Sequence, residues 1–132
     1  MGDDQTVYTL SKGMGRHQVL LRLWSTSTSA GWVGSLTGGE VPHVGGMVLA
    51  VPRASLSGRG RSCDMWLIPV PGHLDHEVAA PLARRLCVQL DEPISLTAGI
   101  HVEGATNEDI DLIRKNCEAV WQDFLSRLQG KD

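Results

Sequence analysis

The sequence predicts an α+β fold, a two-layer arrangement in which a mixed, mainly antiparallel β-sheet carries two helices on one face. Three observations lead there. Five strand-like stretches precede the first helical pattern, and a single alternating strand, Ile94–His101, separates that pattern from a second. Each helical stretch also carries one apolar stripe, which calls for one covered face and one wet one. A strand–helix–strand unit joined to a meander gives a mixed sheet with both helices on one side.

The elements follow in order. Thr6–Leu10 forms a short first strand. In His17–Trp24, Val19, Leu21 and Leu23 share one face, while Gln18 and Arg22 share the other. The run Ser25-Thr26-Ser27-Thr28-Ser29 has nothing large to bury and reads as a turn or exposed edge. Ala30–Leu36 is a third strand, with Gly31 and Gly34 around Trp32 signalling a bulge or a close approach. Gly46–Val51 and Cys63–Val70 are apolar on both faces and read as central strands, separated by a loop from Arg53 to Arg61.

Leu74, Val78, Leu82, Leu86 and Leu90, flanked by Ala79 and Ala83, make the stripe of the first helix. Pro81 falls inside it and predicts either a late helix start or a bend. Ile94, Leu96, Ala98 and Ile100 alternate with Ser95, Thr97, Gly99 and His101, so the second sheet face is too polar for a dry core. That face is left wet, forms a pocket, or packs on another chain. Thr106 caps the last helix, and Asp109 three residues on completes a capping-box pattern. Its stripe is Ile110, Ile113, Cys117, Val120, Trp121, Phe124, Leu125 and Leu128.

A chain of 132 residues supports one domain with a core of its own. A net charge of −3 gives no electrostatic ground for a nucleic-acid partner. Cys63, Cys87 and Cys117 are an odd number without a C-x-x-C pair and lie in apolar segments, so they read as reduced, inert thiols. The acidic opening Gly2-Asp3-Asp4 is unlike a secretory signal, and no apolar run nears the ~20 residues of a membrane span. The expectation is a cytoplasmic protein.

Candidate site residues gather where strands run into helices. His73 and His101 both end apolar strands just before a helix, where free backbone N–H groups favour anionic or planar ligands. His43 lies in the loop Gly38-Gly39-Glu40-Val41-Pro42-His43-Val44-Gly45-Gly46, whose glycines permit close approach, or which is an ordinary connection. Arg53 and Ser55 head a loop rich in arginine, serine and glycine that suits a phosphate, or is simply solvated. His73, Asp75, His76 and Glu77 are metal-capable, yet no second cluster has ligand spacing, and helix starts commonly collect such residues. His101 with Glu103 is conceivable as an acid/base pair or as a solvated contact. Trp32 is the tryptophan best framed to stack on a planar ring; Trp24 and Trp66 read as core or interface. No Ser-His-Asp order, nucleophile elbow, P-loop or Rossmann fingerprint is present.

Taken together, His43-Val44-Gly45, Ala50-x-Pro52-Arg53-x-Ser55-Leu56, Leu67-x-x-x-x-Gly72-His73, Ala98-Gly99-Ile100-His101-Val102 and Thr106-x-Glu108-Asp109-Ile110 resemble the prenylated-flavin chaperone family of LpdD-like proteins. The resemblance spans about residues 15–128, with 1–5 and 129–132 expected as flexible ends. It rests on the order and spacing of these segments. The family's more basic stretch after Gly72-His73 is replaced here by Leu74-Asp75-His76. The resemblance implies a fold similar to proteasome-assembly-chaperone domains and a non-enzymatic role: holding prenylated FMN, with plain FMN as a further ligand, and loading it into a UbiD-type reversible aromatic-acid decarboxylase. His43, Gly45, Arg53, Ser55, His73, Gly99, His101 and Trp32 form the expected cofactor-binding set, with no metal and no catalytic residue. A prenylated-FMN synthase is a further expected partner, and a homodimer is expected to complete the pocket. The alternative is a cofactor-free assembly chaperone acting on a partner protein.

Overall fold

The computed structural model describes residues 5–72 and 75–130. Along the chain it contains β1 (Val7–Lys12), a single 3-10 turn at Gly15–His17, β2 (Val19–Ser25), β3 (Trp32–Gly39), β4 (Gly46–Ala54), β5 (Arg61–Pro69), α1 (Asp75–Leu90), β6 (Ile94–His101) and α2 (Asn107–Gly130). The six strands form one sheet in the order β1-β2-β3-β6-β4-β5. Only β3 and β6 pair in parallel, from Trp32 opposite Ile94 to Gly39 opposite His101. The other pairings are antiparallel. The predicted order and the mixed, mainly antiparallel sheet are both present.

Alternation decides which face is covered. Leu21, Leu23, Leu36, Val48, Ala50, Leu96 and Ala98 point to one side of the sheet and are fully buried there with Leu86, Cys87, Val120 and Phe124 of the helices. The first helix lies on β4, β5 and β6, the second on β1 and β2. Each helix thus covers its own half of the sheet, and a crevice remains between them, floored by Leu82 and Trp121. Phe124 sits under α2 with Tyr8 edge-on at 4.9 Å and Trp121 stacked at 6.0 Å. Removing a ring from such a position costs about 3–5 kcal/mol.

Three expectations change. Cys63–Val70 reads as a central strand, yet β5 is the sheet's edge. Its continuous apolar run does not reflect burial on both sides, since Trp66 is 54% and Ile68 58% exposed on the face without helices. The late helix start offered for Pro81 does not occur, since the helix begins at Asp75 and runs through Pro81 to Leu90. Pro81 lies on the exposed side of α1, where water can serve the carbonyl that its missing N–H leaves free. Ile110, placed by its spacing in the core stripe, is 40% exposed and leans into a cleft described below.

The start of α2 is tied down as the capping pattern predicts. Thr106 N–H donates to Asp109 Oδ2 at 2.9 Å, and Asp109 N–H donates back to Thr106 Oγ1 at 3.2 Å. Asp109 Oδ1 also meets His17 Nε2 at 2.7 Å, and Asn116 donates to the His17 carbonyl at 2.7 Å, which joins the helix to the turn between β1 and β2. The Thr106 N–H first, and then His17, holds the Asp109 carboxyl down at about 2, below its ordinary 3.8. A depressed carboxylate stabilises above its ordinary value, and that stabilisation drains away as pH falls toward the folded-state value. Urea midpoints of the wild type are therefore expected to drop more steeply between pH 3.8 and about 2 than those of Asp109→Asn. Parallel curves for the two proteins would contradict this.

Candidate functional site

The C-terminal end of β6 is wrapped by the chain that leads from β3 to β4. Glu40 N–H donates to the His101 carbonyl at 2.7 Å, and Gly45 N–H donates to the Ala98 carbonyl at 2.8 Å, with His43 N–H near the Gly99 carbonyl at 3.4 Å. Two glycines let this loop lie so close. A Cβ on Gly99 would stand 1.6 Å from the His43 carbonyl oxygen, and one on Gly45 would stand 1.9 Å from Asp75 Oδ2. The close backbone approach foreseen for the glycine loop is made, and its partners are the protein's own atoms.

Asp75 opens α1 and is 8% exposed. Its Oδ1 accepts the Ile100 N–H at 2.8 Å, and its Oδ2 faces His43 Nε2 at 3.1 Å. The other ring nitrogen, His43 Nδ1, donates to the Val41 carbonyl at 2.8 Å. Both partners are acceptors, so each contact is a hydrogen bond only from a ring N–H, one at Nδ1 and one at Nε2. One buried carboxyl group thereby joins the loop, the strand and the helix. Position in the first turn adds the favourable end of the helix dipole.

His101 stands 6.4 Å from His43, ring centre to ring centre and edge-on. Its Nε2 meets Glu103 Oε1 at 3.1 Å, in an open contact at the rim. Below the two histidines lies a cleft of about 420 Å³. Val78, Ile100, Val102, Ile110 and Ile113 supply apolar walls, while His43, Asp75, His101 and Arg114 supply the polar groups. Its size and this mixture are those of small-molecule sites, which run about 300–1,000 Å³. The place is the one foreseen, where a strand end meets the starts of two helices.

Not all of the expected residues meet there. His43, Gly45, Gly99 and His101 come together. Arg53 lies near the far end of β4 and Ser55 just past it, roughly 23 and 30 Å from Gly46 at about 3.3 Å per residue. Arg53 Nε is engaged by Asp64 at 2.8 Å, and Ser55 Oγ by Ser57 Oγ at 2.9 Å. Trp32 opens β3 beside the first residue of β6, packs on Tyr8, and has no hydrogen-bond partner for its buried indole N–H among the described residues. His73 lies outside the described residues. The three thiols are free; burial pushes Cys87 and Cys117 up to about 11, which makes both poor nucleophiles.

Two residues outside the expected cofactor-binding set line the cleft. Asp75 reads as an ordinary helix-start acid, and only the fold shows it bridging 25 residues to Ile100. Arg114 leaves a clearer trace, because it interrupts the stripe Ile110, Cys117, Trp121 at helical spacing.

Two substitutions follow. Asp75→Ala strands the Ile100 N–H and should cost about 1–3 kcal/mol in urea unfolding, more than an exposed acid such as Glu108→Ala. Gly99→Ala must expel the His43 segment from β6 and is expected to cost a similar about 1–3 kcal/mol of overpacking strain. Wild-type stability in either variant would disprove the arrangement.

Comparison with known proteins completes the picture. A family model described as prenylated flavin chaperone LpdD-like domain matches residues 15–129. No curated protein matches the chain. The solved "Crystal Structure of a Novel Chaperone Complex for Yeast 20S Proteasome Assembly" contains a chain that shares this fold with a TM-score of 0.52 at 12% identity, over 94% of this chain and 96% of that one.

Proposed function

Since the chain belongs to the family of prenylated flavin chaperone LpdD-like domains, we propose that it holds prenylated FMN in the cleft between His43 and His101 and delivers it to a UbiD-type aromatic-acid decarboxylase. The observation that carries this reading is the cleft itself: apolar walls for a planar ring system, and two histidines and an arginine for its polar edge and phosphate. Bound there, the flavin brings its own reactivity, and the chain supplies only shape, hydrogen bonds and shelter from water. His43, held by Asp75 and Val41, presents a fixed ring to the cargo, and His101 closes the rim. Gly45 and Gly99 act by letting that loop seat. His73, between the cleft-lining Gly72 and Asp75 in sequence, stays in the proposed set; Arg53, Ser55 and Trp32 leave it because they lie at the other end of the sheet.

In this reading the protein is a cytoplasmic accessory factor rather than a catalyst, supplied by a prenylated-FMN synthase and accepting plain FMN as a weaker ligand. Among the described residues no helix is long and apolar enough to cross a membrane. Protein purified from cells that also express the synthase should carry a flavin absorbance. His43→Ala and His101→Ala should lose most of it, and Arg53→Ala should keep it. A colourless wild type, or loss in Arg53→Ala alone, would reject this site.

A homodimer also belongs to the proposal. The sheet face without helices carries Leu49, Trp66 and Ile68, all exposed, beside Met47 and Val51. Six strands about 4.8 Å apart offer a face on the order of 600 Å², close to the about 800 Å² per partner of a standard interface. The second copy is assigned to this apolar face. Light scattering at micromolar concentration should give a dimer that Trp66→Glu with Ile68→Glu splits; a wild-type monomer would refute it. The likeness to a proteasome-assembly chaperone complex favours one other reading, a cofactor-free assembly factor using this same apolar face. It predicts a colourless protein.

A further inference from the structure

A second cavity borders the cleft at Arg114. It holds about 200 Å³ and runs along the crevice between α1 and α2, and Val78 and Arg114 are walls of both. Alone it is too small for a cofactor-sized ligand, since such sites start near about 300 Å³. As an arm of the cleft it has room for a chain-like extension of the same ligand. Of the charged groups along it, Arg85 is paired with Glu118 and lies over the Trp121 ring at 5.8 Å, and Glu77 stands exposed at the rim. Arg114, at the junction, has neither an ion pair nor a side-chain hydrogen bond among the described residues. A cation set in an apolar helix stripe, unengaged by the protein, between a wide chamber and a narrow arm, is placed to receive an anion.

Resting on the flavin-binding reading above, we infer that the crevice between the helices holds the ligand's phosphorylated side arm and that Arg114 is its anion anchor. The planar head then occupies the wider chamber under His43 and His101, against Ile100 and Ile110. Arg114 selects for the phosphorylated form of the flavin, and the ring-binding residues do not. The earlier expectation of an arginine for the phosphate is thereby moved from Arg53 to a helix at the opposite end of the sheet.

The test compares prenylated FMN with its phosphatase-treated, phosphate-free product, by flavin fluorescence titration of the full chain. Wild type should bind the phosphorylated form about tenfold or more tightly. Arg114→Gln should erase that preference while keeping the affinity for the phosphate-free form, Arg114→Lys should restore part of it, and Arg59→Ala in the distant loop should change nothing. Circular dichroism of each variant checks that it folds. An Arg114→Gln protein that retains the full phosphate preference overturns this assignment and leaves the flavin reading standing. A wild type that binds neither form overturns both.

Discussion

One buried carboxylate holds the functional end of this molecule together. Asp75 accepts a backbone N–H from β6, meets the imidazole of the β3–β4 loop, and begins α1. Taking a carboxylate out of water is costly unless hydrogen bonds replace its hydration, and these partners replace it. Because these partners come from two segments and the carboxylate from a third, this arrangement forms only when the loop, the strand and the helix are all in place. The cleft is the space that this fixed triangle leaves beside the start of α2. Its geometry is therefore a consequence of the fold's own polar bookkeeping, in place before any ligand arrives.

The same economy explains where the empty space lies. Two helices on one six-stranded sheet can each bury a stripe on half of it, and here they do so without packing tightly on each other. The crevice between them is the seam of that division, and its open end meets the strand terminus where backbone donors collect. The opposite face of the sheet has no such cover. Its tryptophan and isoleucine on the edge strand are an unpaired apolar surface of the kind that water tolerates poorly and that partners cover.

Element type and order were legible in the sequence because they depend on local periodicity. The alternation of Ile94–His101 and the Thr106–Asp109 box each speak for themselves within a few residues. The place of a strand in the sheet is a different matter. Met65-Trp66-Leu67-Ile68 has the composition of a strand buried on both faces, and a surface awaiting a partner has the same composition, so the run alone cannot separate a central strand from a sticky edge. The candidate cleft was legible in part for the same reason. His43, Gly45, Gly99 and His101 belong to strand ends that topology brings together, whereas Arg53 and Ser55 lie at and just past the opposite end of a nine-residue strand. Asp75 stood out only as a metal-capable helix-start acid, because the contacts that give it its place are distant in sequence.

A protein that carries a cofactor to another must bind it without enclosing it, and the cleft's construction suits that demand. The inner wall is rigid: Ile100, Val102 and Ile113 belong to or border the packed core. The outer wall is more open. His101 and Glu103 meet at an exposed rim, where a solvent-accessible contact of this kind contributes about 0–1 kcal/mol, and Ile110 on the first turn of α2 is 40% exposed. Opening the rim would break weak, water-exposed contacts and leave the Asp75 triangle untouched. On the proposed reading, affinity would rest mainly on the buried inner wall and the charge at Arg114, and release on the rim. A partner surface would then take the cargo by competing for the rim alone, with no need to unfold the carrier.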